Sequence, residues 1–157
     1  METIIKLTKE NQFEAKVPSG AIVRISGADA SGTLPPAFRP MEMLLVGLGA
    51  CTAVNVISIL SKMREPFRDY EIRLKGERAP QPPKVFTNIL MEHLIYGSGL
   101  SQEKVVRALD LAETYCSAFN MLIKATKIER SIRIIENAGE KNLKEEKNGE
   151  ETQKSDM

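Results

Sequence analysis

The stretch "PPAFRPMEMLLVGLGACTAVNVISIL", residues 35–60, decides how this sequence folds. Between Met43 and Leu60 it runs for eighteen residues without a charged side chain, and Cys51 lies in the middle. Pro40 suits the first turn of a helix, where its missing N–H leaves no hydrogen bond unmade. We therefore predict a helix from Pro40 to about Met63, where the run "REP" ends it.

A run of this length meets the lower threshold for a membrane span. Several small or polar residues dilute its apolarity, and no aromatic belt flanks it. A helix that is apolar on all sides is buried on all sides, yet 157 residues leave little room to enclose a helix about 35 Å long. We therefore predict no membrane span but an obligate homodimer in which each helix packs on its symmetry mate. The small residues that would permit this close approach are Gly47, Gly49, Ala50 and Ala53.

Composition narrows the class of protein. Lys and Arg number 22 and Asp and Glu 21, so the net charge of +1 does not favour nucleic acid as a partner. The first residues carry no secretory signal pattern, and two cysteines are too few for a disulfide scaffold, so we expect a cytoplasmic protein. Residues 1–136 form a single predicted domain. The charged stretch 137–157 is almost wholly polar and is predicted to be a disordered tail.

The pattern around the apolar run predicts an amphipathic β scaffold that needs something to cover it. Ser101 can cap the second long helix, and its apolar stripe, which includes Val105 and Leu109, ends at Cys116. The second cysteine therefore lies on a buried face. The predicted strands are 3–8, 12–17, 21–26, 70–79, 85–97 and 131–136, and the predicted helices are 40–63, 101–116 and a short one near 118–125.

The two cysteines allow two interpretations. Free cysteine is often an inert, buried small side chain. Alternatively, one thiol attacks a substrate and the other resolves the product, which requires a thiolate. Cys51, in the middle of its helix, gains nothing from the N-terminal end of that helix, so we expect a cation from Arg24 or Arg39. Two cysteines and the single His93 do not make a zinc site, and a lone histidine is more often structural or solvated than catalytic.

Three runs in the sequence carry a family resemblance: "PMEMLLVGLGACTAVNVISIL", "GERA" with "PKVFTNI", and "LAETYCSAFNMLIKAT". The last cysteine falls 65 residues after Cys51. Over residues 20–136 the sequence resembles the OsmC/Ohr superfamily, and within it the OsmC-like branch. The resemblance implies an α+β fold in which two subunits interlock and their antiparallel β-sheets wrap around central helices. An active site then lies at each of two positions in the interface.

The resemblance also implies thiol-dependent reduction of organic hydroperoxides in defence against oxidative stress. Cys51 matches the peroxidatic cysteine, which becomes a sulfenic acid, and Cys116 matches the resolving cysteine, which forms a disulfide with it. An external dithiol reduces the disulfide, and no metal or organic cofactor is needed. The rival interpretation is a dimer of the same fold that binds an apolar or thiol-containing small molecule without turnover.

One position departs from the family pattern. The characterised peroxidases place a glutamate ten residues before the peroxidatic cysteine, but Met41 stands there in this sequence, and Glu42 comes nine residues before Cys51. Nine residues rotate an ideal helix by about 180°, so Glu42 is expected to point away from the Cys51 face of its own helix. Two roles remain open for Glu42: it reaches the partner's site, or it serves as a helix-start carboxylate.

Overall fold

The computed structural model describes residues 1–9, 11–27 and 37–136. All nine predicted elements occur with the predicted type and order, and their bounds shift by a few residues. The predicted tail at 137–157 and most of the predicted loop before the long helix lie outside the described residues. The elements are β1 (Ile4–Lys9), β2 (Gln12–Lys16), β3 (Ile22–Ser26), α1 (Pro40–Lys62), β4 (Phe67–Arg78), β5 (Phe86–Gly97), α2 (Gln102–Tyr115), α3 (Ser117–Leu122) and β6 (Lys127–Ile135).

The strands form two three-stranded sheets. The first is an antiparallel meander in the order β1-β2-β3, and the second has the order β4-β5-β6. Strands β4 and β5 are antiparallel, but β5 and β6 run parallel, so the prediction of purely antiparallel sheets is wrong for the last strand. The reason is the connection: α2 and α3 carry the chain back along the sheet before β6 begins, and parallel neighbours need such a crossover.

Helix α1 packs against α2, α3 and the second sheet. It does so through a stripe of fully buried side chains spaced four residues apart: Leu48, Thr52, Val56 and Leu60. Gly49 allows the helix to approach the sheet closely, because a Cβ at Gly49 would lie 2.7 Å from Cδ1 of Leu74 on β4. Gly49 therefore allows close contact between α1 and β4 of the same chain. Our prediction that Gly49 allows close contact between the α1 helices of two chains is wrong. A Cβ at Gly47 would meet no atom of the described chain within 4 Å.

The opposite side of α1 is exposed within one chain. Val46 and Val54 expose 52% and 69% of their surface, and Ile57 is also exposed. Judged by length and composition alone, α1 could cross a membrane, and 28% of its most apolar window is buried. The side of α1 that faces away from the sheet is thus an apolar surface that the described residues of one chain do not cover.

His93 is buried on β5, which agrees with the structural alternative for this residue and excludes the solvated one. Its Nδ1 lies 2.7 Å from the hydroxyl oxygen of Tyr70 on β4, and the side chain is fully buried. Burial, with a smaller contribution from the charge of Arg130, lowers the pKa of His93 to about 4. The imidazole is therefore neutral at pH 7, and protonating it costs folding free energy.

This burial predicts a pH-dependent loss of stability. Because the folded pKa of His93 is about 4 and the unfolded value is near 6.5, His93 contributes full stability above pH 6.5 and loses it as the pH falls towards 4. We expect urea unfolding to show that the contribution of His93 to the free energy of unfolding falls by about 2 kcal/mol between pH 7 and pH 5. The variant His93→Phe should lack this contribution. An equal loss in wild type and variant would contradict the assignment.

Candidate active site: two thiols at a helix break

The fold brings the two cysteines together. Cys51 lies half-buried near the middle of α1, and Cys116 is fully buried between α2 and α3. Both are free thiols, and each one shifts the pKa of the other. Helix α1 contacts both α2 and α3, so residues 65 positions apart meet on one side of α1.

Cys116 stands where the helical path breaks. Its extended backbone, with φ −74° and ψ 111°, ends α2 and makes Cys116 the N-cap of α3. The Sγ atom accepts a hydrogen bond from the backbone N–H of Phe119 at 3.4 Å, and it lies 3.4 Å from Oγ1 of the buried Thr52. The break thus frees N–H groups at the start of α3 to point at sulfur instead of at a preceding turn.

These N–H groups act on Cys51 as well. The backbone N–H of Ala118 is the largest cause that lowers the pKa of the Cys51 thiol, followed by the Cys116 side chain, and the N–H of Ser117 adds to them against the opposing effect of burial. Burial instead raises the pKa of Cys116, although Thr52 and the N–H of Phe119 partly oppose it. The half-exposed thiol is therefore the better thiolate, and the buried thiol holds its proton more tightly.

From the sequence we expected an arginine to stabilise the Cys51 thiolate, because a position in the middle of α1 gains no donors from the start of that helix. Within the described part of one chain, the start of a different helix supplies the donors. This finding does not decide the roles of Arg24 and Arg39, which remain predictions.

The predicted residues Arg24, Arg39 and Glu42 lie together near the start of α1. Arg24 is 78% exposed, with its Nε 3.6 Å from a carboxylate oxygen of Glu14. The Glu42 carboxylate accepts a hydrogen bond from the backbone N–H of Arg39 at 3.0 Å, which is the helix-start role considered for it. Glu42 lines one cavity of about 460 Å³ with Arg24 and another of about 500 Å³ with Arg39.

This group is far from Cys51 of the same chain. Nine residues separate Glu42 from Cys51, which corresponds to about 13 Å along the axis of α1. The structure of one chain therefore brings Cys51 and Cys116 together but does not bring Arg24, Arg39 or Glu42 to them.

An apolar cavity lies on the Cys51 side of α1. It has a volume of about 470 Å³ and is lined by Met41 and Leu44 of α1, Leu122 of α3 and residues 83–86, with Arg78 also at its wall. Leu44 and Cys51 are seven residues apart, so they lie on nearly the same face of the helix at a distance of about 10 Å along its axis.

Sequence reasoning missed three residues that shape the thiol pair. Thr52 contacts Cys116, Asn55 donates to the carbonyl oxygen of Cys51 at 3.0 Å, and Asn120 binds carbonyl groups at the helix break. The role of Thr52 could have been predicted, because Thr52 is the single polar residue in an otherwise aliphatic stripe at four-residue spacing. Asn55 and Asn120 follow Cys51 and Cys116 by four residues each, which is one helical turn.

Comparison with known proteins agrees with this architecture. Protein YhfA of Escherichia coli K12 is 37% identical over 136 residues, which cover 86% of this chain and 98% of YhfA. A crystal structure of a hypothetical protein from Aquifex aeolicus VF5 matches with a TM-score of 0.76 and 28% identity, covering 87% of this chain and 96% of that one.

A third match carries a functional name. The structure of an organic hydroperoxide resistance protein OsmC from Legionella pneumophila superposes with a TM-score of 0.63 at 17% identity, covering 84% of this chain and 96% of that one. At this identity the match concerns the fold alone. The sequence pattern of the OsmC-like protein family matches residues 30–131, which include both cysteines and all of α1. The chain therefore belongs to the OsmC-like protein family.

Proposed function

We propose that this protein is a thiol-dependent peroxidase that reduces organic hydroperoxides, with Cys51 as the nucleophile. The observation that carries the proposal is the asymmetry of the thiol pair. Cys51 is partly exposed and its pKa is lowered by N–H donors, whereas its neighbour Cys116 is fully buried and its pKa is raised. A reactive thiolate beside a protected second thiol is the arrangement that a two-cysteine peroxidase requires.

In the first step, the Cys51 thiolate attacks the outer oxygen of the hydroperoxide. A sulfur–oxygen bond forms while the oxygen–oxygen bond breaks, so sulfur is oxidised to a sulfenic acid and the peroxide is reduced. The alkoxide takes a proton from water and leaves as an alcohol. The N–H groups of Ser117 and Ala118 favour this step by keeping Cys51 in its thiolate form.

In the second step, the sulfur of Cys116 attacks the sulfur of the Cys51 sulfenic acid. The disulfide bond forms, and the departing hydroxide takes the Cys116 proton and leaves as water. The Thr52 hydroxyl and the Phe119 N–H, each 3.4 Å from the Cys116 sulfur, favour the thiolate that this attack needs. An external dithiol then reduces the disulfide by exchange, so the cycle needs no metal or organic cofactor. Such recycling suits the cytoplasm, which keeps thiols reduced.

The substrate is proposed to carry an apolar alkyl group. The cavity lined by Met41, Leu44 and Leu122 lies along the face of α1 that leads to Cys51, and its walls are mainly apolar. The functional name of the Legionella pneumophila neighbour, an organic hydroperoxide resistance protein, suggests the same class of compound.

The working form is proposed to be a homodimer. The described residues of one chain leave two apolar surfaces uncovered: the outer side of α1, and the first sheet with its exposed Ile4, Ile5 and Leu7. A three-stranded sheet of this kind needs a surface to pack against. A second copy would cover both surfaces, and the Arg24, Arg39 and Glu42 of that copy would approach Cys51, which their own chain does not allow.

The peroxidase proposal predicts a specific pattern of turnover. With cumene hydroperoxide and excess dithiothreitol, the wild type should consume peroxide continuously, and Cys51→Ser should fall to the buffer rate because the attacking sulfur is gone. Without reductant, Cys116→Ser should still consume one equivalent of peroxide, since the first step needs only Cys51. The measurement is the loss of peroxide with time. Equal rates for wild type and Cys51→Ser would refute the proposal and leave the non-catalytic binding role.

The pKa asymmetry also predicts the order in which the thiols react. At neutral pH, iodoacetamide should alkylate Cys51 at least about tenfold faster than Cys116, because the thiolate is the reacting form and Cys116 is buried. Peptide mass spectrometry after timed quenching measures both rates in one sample. Preferential labelling of Cys116 would show that the roles of the two cysteines are reversed.

The homodimer predicts a molecular mass of twice the 17.5 kDa chain in solution, measured by light scattering. Val54→Glu should lower that mass towards one chain or cause aggregation, because it places a charge at the most exposed apolar position of α1. Gln102→Glu is the matched control, since it adds the same charge at an exposed position of α2. A wild type with the mass of a single chain would contradict the homodimer.

A further inference from the structure

We propose that Asn120 is a positioning residue, whose side-chain amide holds the start of α3 so that the Ser117 and Ala118 N–H groups face the Cys51 sulfur. This inference rests on the proposed function only in taking Cys51 as the reacting thiol. Asn120 lies on α3, one turn after Cys116, and its side chain reaches back across the break to α2.

The contacts of Asn120 join the two helices. Its Nδ2 lies 2.9 Å from the carbonyl oxygen of Glu113, 3.1 Å from that of Thr114 and 2.9 Å from that of Cys116. The first two carbonyls belong to the last turn of α2, where helical carbonyl groups lose their usual partners. An amide NH₂ has two hydrogens, so three carbonyls share two donors. Because all three partners are carbonyl oxygens, the NH₂ group of the amide, and not its oxygen, must face them.

Helix α3 needs a contact that fixes its position against α2. It has six residues, none of these described residues is fully buried, and a helix this short is not stable on its own. Its first turn nevertheless carries three N–H groups that act on the two thiols. The N–H of Phe119 lies 3.4 Å from the Cys116 sulfur, and those of Ser117 and Ala118 lower the pKa of Cys51. Backbone hydrogen bonds within α3 fix its pitch, whereas the Asn120 amide fixes its position against α2.

Loss of the Asn120 amide is expected to weaken the stabilisation of the Cys51 thiolate. When the amide is removed, the Glu113 and Thr114 carbonyls turn to water and the start of α3 is free to move relative to α1. The Cys51 thiolate then loses N–H donors, while the sulfur itself and its surroundings on α1 stay in place. Asn120 is largely exposed, and alanine is a better helix former than asparagine, so the substitution leaves the core and the intrinsic helical preference of α3 intact.

The test compares Asn120→Ala with Met121→Ala, which removes an exposed side chain from the same helix. The readout is the pH dependence of Cys51 alkylation by iodoacetamide, followed by peptide mass spectrometry in the full-length protein. We expect the midpoint for Asn120→Ala to rise by about one pH unit, so that alkylation at a pH below both midpoints slows about tenfold. Met121→Ala should keep the wild-type midpoint.

Hydrogen exchange of the backbone amides separates positioning from general stability. In Asn120→Ala, we expect faster exchange at residues 117–119 and unchanged exchange in α1 and β5. The proposal is overturned when the midpoint of Asn120→Ala equals that of Met121→Ala, or when exchange rises equally throughout the protein. Neither measurement uses peroxide, so a protein without peroxidase activity would still test the role of Asn120.

Discussion

The interruption of the helical path at Cys116 is the feature on which the rest of the site depends. In a continuous helix through this position, the N–H groups would donate hydrogen bonds to preceding carbonyl oxygens. The extended backbone of Cys116 instead frees the N–H groups of Ser117, Ala118 and Phe119 and turns them towards sulfur. One local change of conformation thus places the resolving thiol and also stabilises the thiolate of its partner.

The fold holds this break in place through packing on α1. The crossover from β5 to β6 contains both α2 and α3, and each contacts the central helix. The buried stripe of α1 contributes Thr52 to the Cys116 sulfur, and Gly49 allows the helix to lie close to the sheet. At the other end of α2, the Glu65 carboxylate accepts the N–H of Ser101 and pairs with Lys104, which fixes the start of that helix. Helix α2, which ends at Cys116, is therefore held by contacts at both of its ends.

Much of this fold was predictable because hydrophobic periodicity is a local signal. The long apolar run, the amphipathic stripe that ends at Cys116 and the separate short helix after it were all visible in the sequence. The parallel pairing of β6 was not, since it depends on where a crossover returns the chain. The donors to Cys51 were also missed, because they belong to a helix more than sixty residues away. The sequence pointed to Arg24 and Arg39, which lie beside Glu42 near the start of α1, whereas Cys51 lies near the middle of that helix.

The proposed chemistry requires that Cys51 and Cys116 of one chain bridge when the first is oxidised. The most direct measurement is non-reducing peptide mapping after one equivalent of organic hydroperoxide has reacted with the reduced protein. We expect a loss of two hydrogen atoms per chain and a peptide pair that joins Cys51 to Cys116 within the same chain. A chain that gains oxygen on Cys51 while Cys116 stays reduced, or a disulfide between the Cys51 residues of two chains, would contradict the proposed chemistry.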